Sequence, residues 1–194
     1  MLLSAFIFCI ITLVSWLIFP IDKLSAIKNE VLQKRILITG GSQGIGKALA
    51  LEYAHLGVSS IILASRSESK LNLVKNSILS INKSIDVFIF AVDLSTEENC
   101  KLLLDYANKL WPNGIDYLIL NHITDSGFGL WLNNDSNDSK HSKIEKMFRV
   151  NTFSYIILTT YAIDALKKSK WSNSCCFELG RTCRGSKHRI IFVL

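Results

Sequence analysis

Glycines near residue 40 have the spacing of a loop that binds a phosphate group. Gly40 permits a tight turn, Gly44 lacks a Cβ where the backbone must approach a pyrophosphate, and Gly46 lets a helix pack closely on a strand. Phosphates would lie at the N-terminus of the following helix, because free N–H groups and the positive end of the helix dipole attract anions there. The whole segment reads Thr39-Gly40-Gly41-Ser42-Gln43-Gly44-Ile45-Gly46.

A strand, a helix and a second strand must position this loop, and the flanking sequence predicts all three. Arg35–Thr39 and Ser60–Ala64 are short apolar runs typical of buried strands. Between them, Lys47–Leu56 has apolar residues at helical spacing and ends at Gly57, a residue type that commonly stops a helix. A glycine-rich loop alone is weak evidence, but this order of elements is that of a dinucleotide-binding unit.

The residues after the second predicted strand bear on the choice of dinucleotide. An NAD site usually places an acidic residue there for the ribose 2′-hydroxyl, and Ser65-Arg66-Ser67 contains none. Arg66 could pair with a 2′-phosphate instead, so the sequence favours NADP(H) as the cofactor. The alternative is that Arg66 is an ordinary solvated charge on a loop.

Strands and helices alternate along the rest of the chain. The sequence predicts helices over 68–79, from 95 to about 110 and over 143–168, and strands over 87–92 and 116–121. This alternation predicts an α/β protein with a Rossmann-like, doubly wound parallel sheet. Asp93 follows the third strand, where it could contact an adenine amino group or cap the next helix. Asn151 lies within the last predicted helix, although asparagine is a poor helix former.

Composition excludes several functional classes. With 194 residues, 49% hydrophobic and 20% charged, the chain is expected to form one globular domain rather than a disordered or polytopic membrane protein. The net charge of +6 is spread along the chain, with no basic stripe interleaved with aromatic residues, so no nucleic-acid partner is expected. The five cysteines are odd in number and irregularly spaced, which argues against a disulfide framework and against a metal site at Cys175, Cys176 and Cys183.

The start of the chain has the character of a membrane segment. Residues 1–21 carry no charge and are long enough to span a bilayer, which predicts a transmembrane anchor or signal anchor, followed by a linker over 22–33. A cleaved signal peptide is the alternative, although a basic start and a small-x-small cleavage pattern are missing. Four nearby basic residues follow the segment and none precedes it, which favours a cytosolic domain. Glycosylation sequons at Asn82, Asn134 and Asn137 would instead be meaningful in a lumenal domain.

These motifs resemble the short-chain dehydrogenase/reductase family over about residues 34–170. The glycine loop matches that family's T-G-x-x-x-G-x-G, Asp93-Leu94 matches its adenine-contact position, and Val150-Asn151 matches the asparagine of its catalytic tetrad. Asn121 matches the first residue of its N-A-G segment, from which Asn121-His122-Ile123 departs. The resemblance implies that the loop and the segments after the strands bind the cofactor, with Asn151 in the catalytic site.

One stretch is similar to the 11β-hydroxysteroid dehydrogenase branch of that family, namely Leu118-Ile119-Leu120-Asn121-His122-Ile123-Thr124. The similarity implies NADP(H)-dependent chemistry on a small hydrophobic carbonyl or alcohol such as a steroid. It also implies a single-pass protein of the endoplasmic reticulum membrane with a lumenal domain, opposite to the cytosolic side that the charges favour.

The resemblance stops at the catalytic residues and at Lys170. The family's tetrad also needs a Ser and a Y-x-x-x-K pair, and none of the five tyrosines has a lysine four residues later. Suitable codons for 171–179 allow a one-nucleotide shift of frame to restore the family's next strand. Residues 171–194 are therefore interpreted as an out-of-frame tail, with a genuine divergent ending as the alternative. We therefore expect a fold incomplete at the C-terminus, whose sheet ends after four strands with an open edge that residues 190–194 could patch.

Two classes of function follow from this sequence. As a family member, the chain would be an NADP(H)-dependent oxidoreductase, but without the catalytic Tyr and Lys it is expected to have negligible turnover. The alternative is a cofactor-binding or dominant-negative partner that pairs with a full-length relative, or with itself, through the helix around 151–168. A non-functional truncated product is the third interpretation.

Overall fold

The computed structural model describes residues 31–124 and 137–169, with backbone alone at 137–140, and the backbone of 175–179 and 188–192. The chain divides into two units, Met1–Leu32 and Gln33–Leu194, and every element given below belongs to the second. The anchor predicted over 1–21 and most of the linker lie outside the described residues. Among the described helices, none is long and apolar enough to cross a membrane.

Strands and helices alternate along the second unit. The strands are β1 (Arg35–Thr39), β2 (Ser60–Ser65), β3 (Asp86–Ala91), β4 (Tyr117–Leu120), β5 (Cys175–Leu179) and β6 (His188–Phe192). The helices are α1 (Gly44–Leu56), α2 (Glu68–Ile81), α3 (Glu97–Leu110), α4 (Asn137–Phe148) and α5 (Ser154–Lys168), with a π-helical turn (Arg149–Phe153) before α5. The strand pairs are parallel, in the order β3-β2-β1-β4-β6-β5. The predicted α/β class with a Rossmann-like parallel sheet is therefore confirmed.

Burial explains why the central strands read as continuous apolar runs. Alternate residues of a strand point to opposite faces of the sheet, and both faces are covered here. Leu37, Ile62 and Leu118 pack with the apolar faces of α3 and α5 in the main core cluster. The residues between them, such as Ile36 and Ile61, are equally buried, and α1 and α2 contact the strands β1 to β3.

Local signals set the helix ends, and the sequence predicted two of them, the start of α3 and the stop of α1 at Gly57. Ser67 caps α2 by accepting a hydrogen bond at Oγ from the Lys70 N–H. Thr96 caps α3 in the same way, with Asn99 as the donor. Gly57 ends α1 in the left-handed conformation, with φ of 81°, where a residue with a side chain would be strained.

The expectation that the sheet ends after four strands is wrong, because two further strands come from the tail 171–194. β6 pairs with β4 in register from Tyr117↔Arg189 to Leu120↔Phe192, and β5 pairs with β6 on its other side. The stretch 190–194 that could patch the edge contributes to β6. An unpaired edge of β4 would leave main-chain N–H and C=O groups without strand partners, and the apolar, β-branched run in β6 suits that position.

The single helix predicted over 143–168 is also wrong in one respect. The structure interrupts it with the π-helical turn, and Asn151 lies within that turn. A π-helical turn inserts an extra residue into the helical ladder and commonly marks a functional site. The poor helix former noted in the sequence therefore coincides with a real irregularity of the backbone.

Candidate functional site

A cavity of about 410 Å³ lies where the strands β1 to β4 end. The chain reverses its direction of progress across the sheet between β1 and β4, and such a switch point is where open parallel sheets bind ligands. Ten of the twelve predicted cofactor-binding residues line the cavity: Gly40, Ser42, Gln43, Gly44, Ile45, Arg66, Asp93, Leu94, Asn121 and His122. Eight residues outside the predicted set line it as well: Ser65, Ser67, Lys70, Val92, Ile123, Thr124, Lys146 and Val150.

The glycine loop has the geometry that its sequence predicts. Gly40 has φ of 66°, and a Cβ there would lie 2.8 Å from the His122 Cα, so the tight turn needs glycine. A Cβ at Gly46 would lie 2.3 Å from the Gly40 oxygen, which shows how closely α1 approaches the end of β1. Gly44 has φ of 56° and no atom within 4 Å of the position of a Cβ. Its open side leaves room beside the cavity for a ligand to approach the backbone.

The N-terminus of α1 offers main-chain donors to this cavity. Gln43 is the N-cap residue, but its side chain makes no capping hydrogen bond, and the first turn contains no acidic residue. The first N–H groups of a helix have no partner within the helix. Together with the positive end of the helix dipole, they suit an anion such as a pyrophosphate.

Thr39 supports the loop from below instead of lining the cavity. Its buried Oγ1 donates to the Ile119 carbonyl at 3.2 Å and accepts from the Asn121 N–H at 3.0 Å. Asn121 in turn donates from Nδ2 to the Gly40 carbonyl at 3.2 Å. These bonds tie the segment after β4 to the turn after β1, so both walls of the cavity are held in one arrangement.

His122 is buried at the centre of a second set of contacts. Its Nδ1 lies 2.8 Å from Thr39 Oγ1 and its Nε2 lies 2.7 Å from Ser154 Oγ, which connects β1 to α5. Tyr155 donates from its hydroxyl to the His122 carbonyl at 2.7 Å, and its ring packs against the imidazole at 4.7 Å. Burial lowers the pKa of His122 to about 4, against a weaker opposing effect of Asp93, so the ring is neutral near pH 7.

Asn151 lies beside the cavity without lining it. Its Oδ1 accepts from the Thr124 N–H at 2.8 Å, and its Nδ2 donates to the Thr124 carbonyl at 3.0 Å. The side chain thus pairs with the main chain of Thr124 as a neighbouring strand would. Because Thr124 and Val150 both line the cavity, the amide of Asn151 positions the wall where the resemblance places catalysis.

Asp93 lines the cavity. The sequence left two roles open for it, an adenine contact or the cap of the next helix, and the structure excludes the second. The cap of α3 is Thr96, not Asp93. Asp93 instead accepts at Oδ1 from the Ser95 N–H at 3.1 Å, and its carbonyl accepts from Asn99 Nδ2 at 2.7 Å. These bonds fix the turn after β3 and leave the carboxylate at the cavity wall, beside the buried Leu94.

Basic side chains outnumber acidic ones along the cavity. Arg66, Lys70 and Lys146 are cationic and Asp93 is the acidic residue among the lining side chains, so three charges minus one leave a surplus of two positive charges. Lys70 was missed from the sequence, although its place three residues after the Ser67 cap puts it in the first turn of α2. Ser65 also lines the cavity, and its buried Oγ has no hydrogen-bond partner among the described residues. An anionic, hydrogen-bonding ligand suits this wall.

No metal centre is found in the part of the chain that the structure describes. No group of three or more His, Cys, Asp and Glu residues there could hold a metal ion. The cysteine cluster considered from the sequence lies in the tail, where side chains fall outside the described residues. Cys100, which is described, is a free thiol on the buried side of α3, and burial raises its pKa to about 11.

The family model of the short chain dehydrogenases matches residues 34–173. The chain therefore belongs to the short chain dehydrogenase family. It is 35% identical over 138 residues to the hydroxysteroid 11-beta-dehydrogenase 1-like protein of Gallus gallus, which covers 71% of this chain and 45% of that protein. The Homo sapiens protein of the same name is 32% identical over 139 residues, covering 71% and 41%. The chain thus spans less than half the length of these relatives.

Solved structures of other proteins show a similar arrangement. The NADH-dependent reductase A1-R′ complexed with NAD matches with a TM-score of 0.62 at 27% identity, covering 73% of this chain and 55% of that one. A putative short chain dehydrogenase from Escherichia coli CFT073 matches with a TM-score of 0.61 at 27% identity, covering 74% and 60%. The resemblance stated from the motifs is confirmed at the level of the family.

Proposed function

We propose that residues 34–170 bind the dinucleotide NADP(H) in the cavity at the ends of β1 to β4. The carrying observation is the glycine loop, whose Gly44 is open to the cavity and whose helix α1 has no side-chain cap. In this proposal the pyrophosphate lies against the first turn of α1. Asp93 and Leu94 contact the adenine, and Arg66 pairs with the 2′-phosphate.

The preference for NADP(H) over NAD(H) rests on the charge of the cavity wall. Arg66 and Lys70 lie beside Ser65, whose Oγ lacks a partner among the described residues, and a phosphate would give these groups both charge and acceptors. The related reductase A1-R′ was solved with NAD, so the two cofactors must be compared directly. Titration of the full chain with NADPH and NADH, followed by nicotinamide fluorescence, should give a preference for NADPH of roughly tenfold or more. Equal affinity would reject the NADP assignment, and failure to bind either would reject the site.

The chemistry of the family would be an oxidoreduction at a carbonyl or alcohol, with a bound nicotinamide supplying or accepting a hydride. We propose a small hydrophobic substrate such as a steroid, on the strength of the 11-beta-dehydrogenase-like relatives. The residues of this chain would hold the cofactor, and Asn151, through Thr124, would shape the wall next to the reacting groups.

We further propose that these 194 residues bind cofactor without turning it over. The family's general acid is a tyrosine followed by a lysine four residues later, and none of the five tyrosines has that neighbour. Tyr155 donates its hydroxyl to the carbonyl of His122, a residue of the cavity wall, and burial raises the pKa of Tyr155 to about 12. Purified protein with NADPH and a panel of steroid ketones should oxidise NADPH no faster than a blank without substrate. Turnover clearly above that blank would contradict the proposal.

A partner role is the second candidate, and exposed apolar side chains favour it. Phe148, Phe153 and Ile156, around the π-helical turn, are each more than half exposed, at 53%, 52% and 58%. We propose that this surface pairs with a full-length relative or with a second copy of the chain. Co-purification of the tagged chain with a co-expressed relative tests the first pairing, and light scattering of the chain alone tests the second. Loss of pairing in Phe153→Ser and Ile156→Ser would support the surface, and a monomer that captures nothing would reject it.

For localisation, we propose a single-pass protein of the endoplasmic reticulum membrane, anchored by residues 1–21. The support is the charge-free apolar run and the family resemblance. Resistance of membrane-bound protein to carbonate extraction tests the anchor. A glycosidase-sensitive mass shift that disappears in Asn82→Gln with Asn134→Gln and Asn137→Gln would assign the domain to the lumen, whereas an unmodified chain open to added protease would assign it to the cytosol.

A further inference from the structure

Lys70 makes a contact that joins the two loops of the cofactor site. Its Nζ donates to Gln43 Oε1 at 3.0 Å. Gln43 belongs to the glycine loop after β1 and Lys70 to the first turn of α2 after β2, and both residues line the cavity. The bond therefore crosses between the part of the wall that suits a pyrophosphate and the part that carries Arg66.

The partner of Lys70 differs in charge from the partners of three other cations in the described part of the chain. Arg35 pairs with Asp116, Lys101 with Glu97 and Arg149 with Glu145, each at 2.8 Å. In those pairs a carboxylate neutralises the cation. The Gln43 amide is neutral, so its hydrogen bond orients the ammonium group of Lys70 without cancelling its charge.

The surroundings of Lys70 suit a phosphate monoester. Arg66 adds a second cation on the same wall, and Ser65 adds a hydroxyl whose Oγ has no partner among the described residues. A hydrogen bond from an ammonium group to a phosphate oxygen is stronger than one to a neutral amide, because both partners are charged. Because an ammonium group has three N–H donors, Lys70 could donate to a phosphate oxygen while it keeps its bond to Gln43.

We propose that Lys70 is the second cation of the 2′-phosphate subsite and that Gln43 is a positioning residue that holds it at the cavity wall. This inference rests on the proposed binding of NADP(H), and it adds a specificity-determining residue to that site. Gln43 acts for the ligand, since one donor of the ammonium group bonds to its amide while the other two stay available to a phosphate. Removing Lys70 should consequently weaken phosphate binding, and removing Gln43 should weaken it less.

A comparison of two nucleotides distinguishes binding at the 2′-phosphate subsite from binding in the rest of the cavity. Adenosine 2′,5′-bisphosphate carries the 2′-phosphate, and 5′-AMP lacks it but shares the adenosine and the 5′-phosphate. Their dissociation constants for the full chain, measured by calorimetry in detergent, give a ratio that reports on the 2′-phosphate alone. Lys70→Gln should weaken the bisphosphate roughly fivefold and leave 5′-AMP nearly unchanged. Gln43→Ala should shift the ratio in the same direction but less, by roughly twofold, because Lys70 keeps its charge and loses the contact that positions it.

Lys75→Gln is the matched control, because Lys75 lies on the same helix outside the cavity lining. It removes the same charge from α2 and should change neither dissociation constant. If Lys70 only fastens the glycine loop, Lys70→Gln and Gln43→Ala would weaken both nucleotides alike, and the inference would be wrong. It would also be wrong if Lys70→Gln kept the ratio of the unaltered chain.

The same titrations separate this inference from the proposed function. Binding of 5′-AMP and NADH with an unchanged ratio in Lys70→Gln would overturn the role of Lys70 and keep the dinucleotide site. Absence of binding by 5′-AMP, the bisphosphate, NADH and NADPH alike would overturn the proposed function itself. A screened charge effect also predicts that the ratio of the unaltered chain falls as salt is raised, while that of Lys70→Gln falls less.

Discussion

Two helices begin at the same edge of the sheet, and their N-termini differ in capping and in nearby charge. α1 has no side-chain cap and no acidic residue in its first turn. α2 is capped by Ser67, carries Glu68 in its first turn and presents Arg66 and Lys70 beside it. One helix leaves its main-chain donors for a ligand, whereas the other satisfies its own donors and offers charged side chains. The two halves of the proposed dinucleotide site thus differ in chemistry, so different substitutions should disable them.

The largest effect is expected in the glycine loop, where backbone space matters more than charge. In Gly46→Ala the new Cβ would lie 2.3 Å from the Gly40 oxygen and 2.5 Å from Asn121 Nδ2. Neither group can move freely, because Asn121 also bonds to Gly40 and Thr39. We expect a loss of about 3 kcal/mol or more in the free energy of unfolding, measured by urea denaturation.

Gly44→Ala is the matched control for that substitution. Its Cβ would meet no atom within 4 Å, so the expected cost is only the strain of a left-handed residue with φ of 56°, about 1 kcal/mol. The new Cβ would, however, enter the space where the ligand approaches, and nucleotide affinity should fall while the fold is kept. Equal destabilisation by the two substitutions would contradict the close approach of α1 to β1.

The glycine loop and the elements around it could be predicted from the sequence, because each is specified by residues close together along the chain. Gly57 stops α1, Thr96 starts α3, and continuous apolar runs mark strands buried on both faces. The interruption at Asn151 was not predicted, and there Asn151 bonds to Thr124, which is 27 residues away along the chain. Pairing of β6 with β4 is likewise non-local. Strand formation can be predicted from β-branched residues, but the choice of neighbour is decided by which edge is left open.

Within the site, the residues that belong to motifs were predicted from the sequence. Residues that reach the cavity only because of the side of a helix on which they lie were not predicted. Lys70 and Lys146 line the cavity because of the direction in which their helical turns face. Lys70 could have been found, because a residue three positions after an N-cap serine lies in the first turn, beside the end of the preceding strand. Lys146 could not, since α4 follows a segment whose path the sequence leaves open.

Charge removal near α2 should have the next largest effect, confined to one cofactor. Arg66→Gln should weaken NADPH roughly tenfold and leave NADH within roughly twofold, because in the proposed site only the 2′-phosphate pairs with the guanidinium. Competition binding with both cofactors against a fluorescent nucleotide measures the ratio, and Lys75→Gln again serves as the control. A parallel loss for NADH would mean that Arg66 supports the loop instead of the phosphate. The free energy of unfolding should not change, which distinguishes this region from the glycine loop.

The smallest effect is expected for the two N-cap residues, whose contributions to the free energy of unfolding can be compared directly. Ser67→Ala removes the acceptor of the Lys70 N–H and should lower the free energy of unfolding by about 1 kcal/mol. Gln43→Ala removes a side chain that makes no capping bond, so its effect should stay within about 0.5 kcal/mol. Thermal and urea unfolding of both variants measure the difference. If Gln43→Ala cost as much as Ser67→Ala, α1 would depend on its cap residue after all, and its first turn would not be free for a ligand. If neither variant lowered the free energy of unfolding, the hydrogen bond at Ser67 would be too weak to distinguish the two helices. The contrast between them would then rest on Arg66 and Lys70 alone.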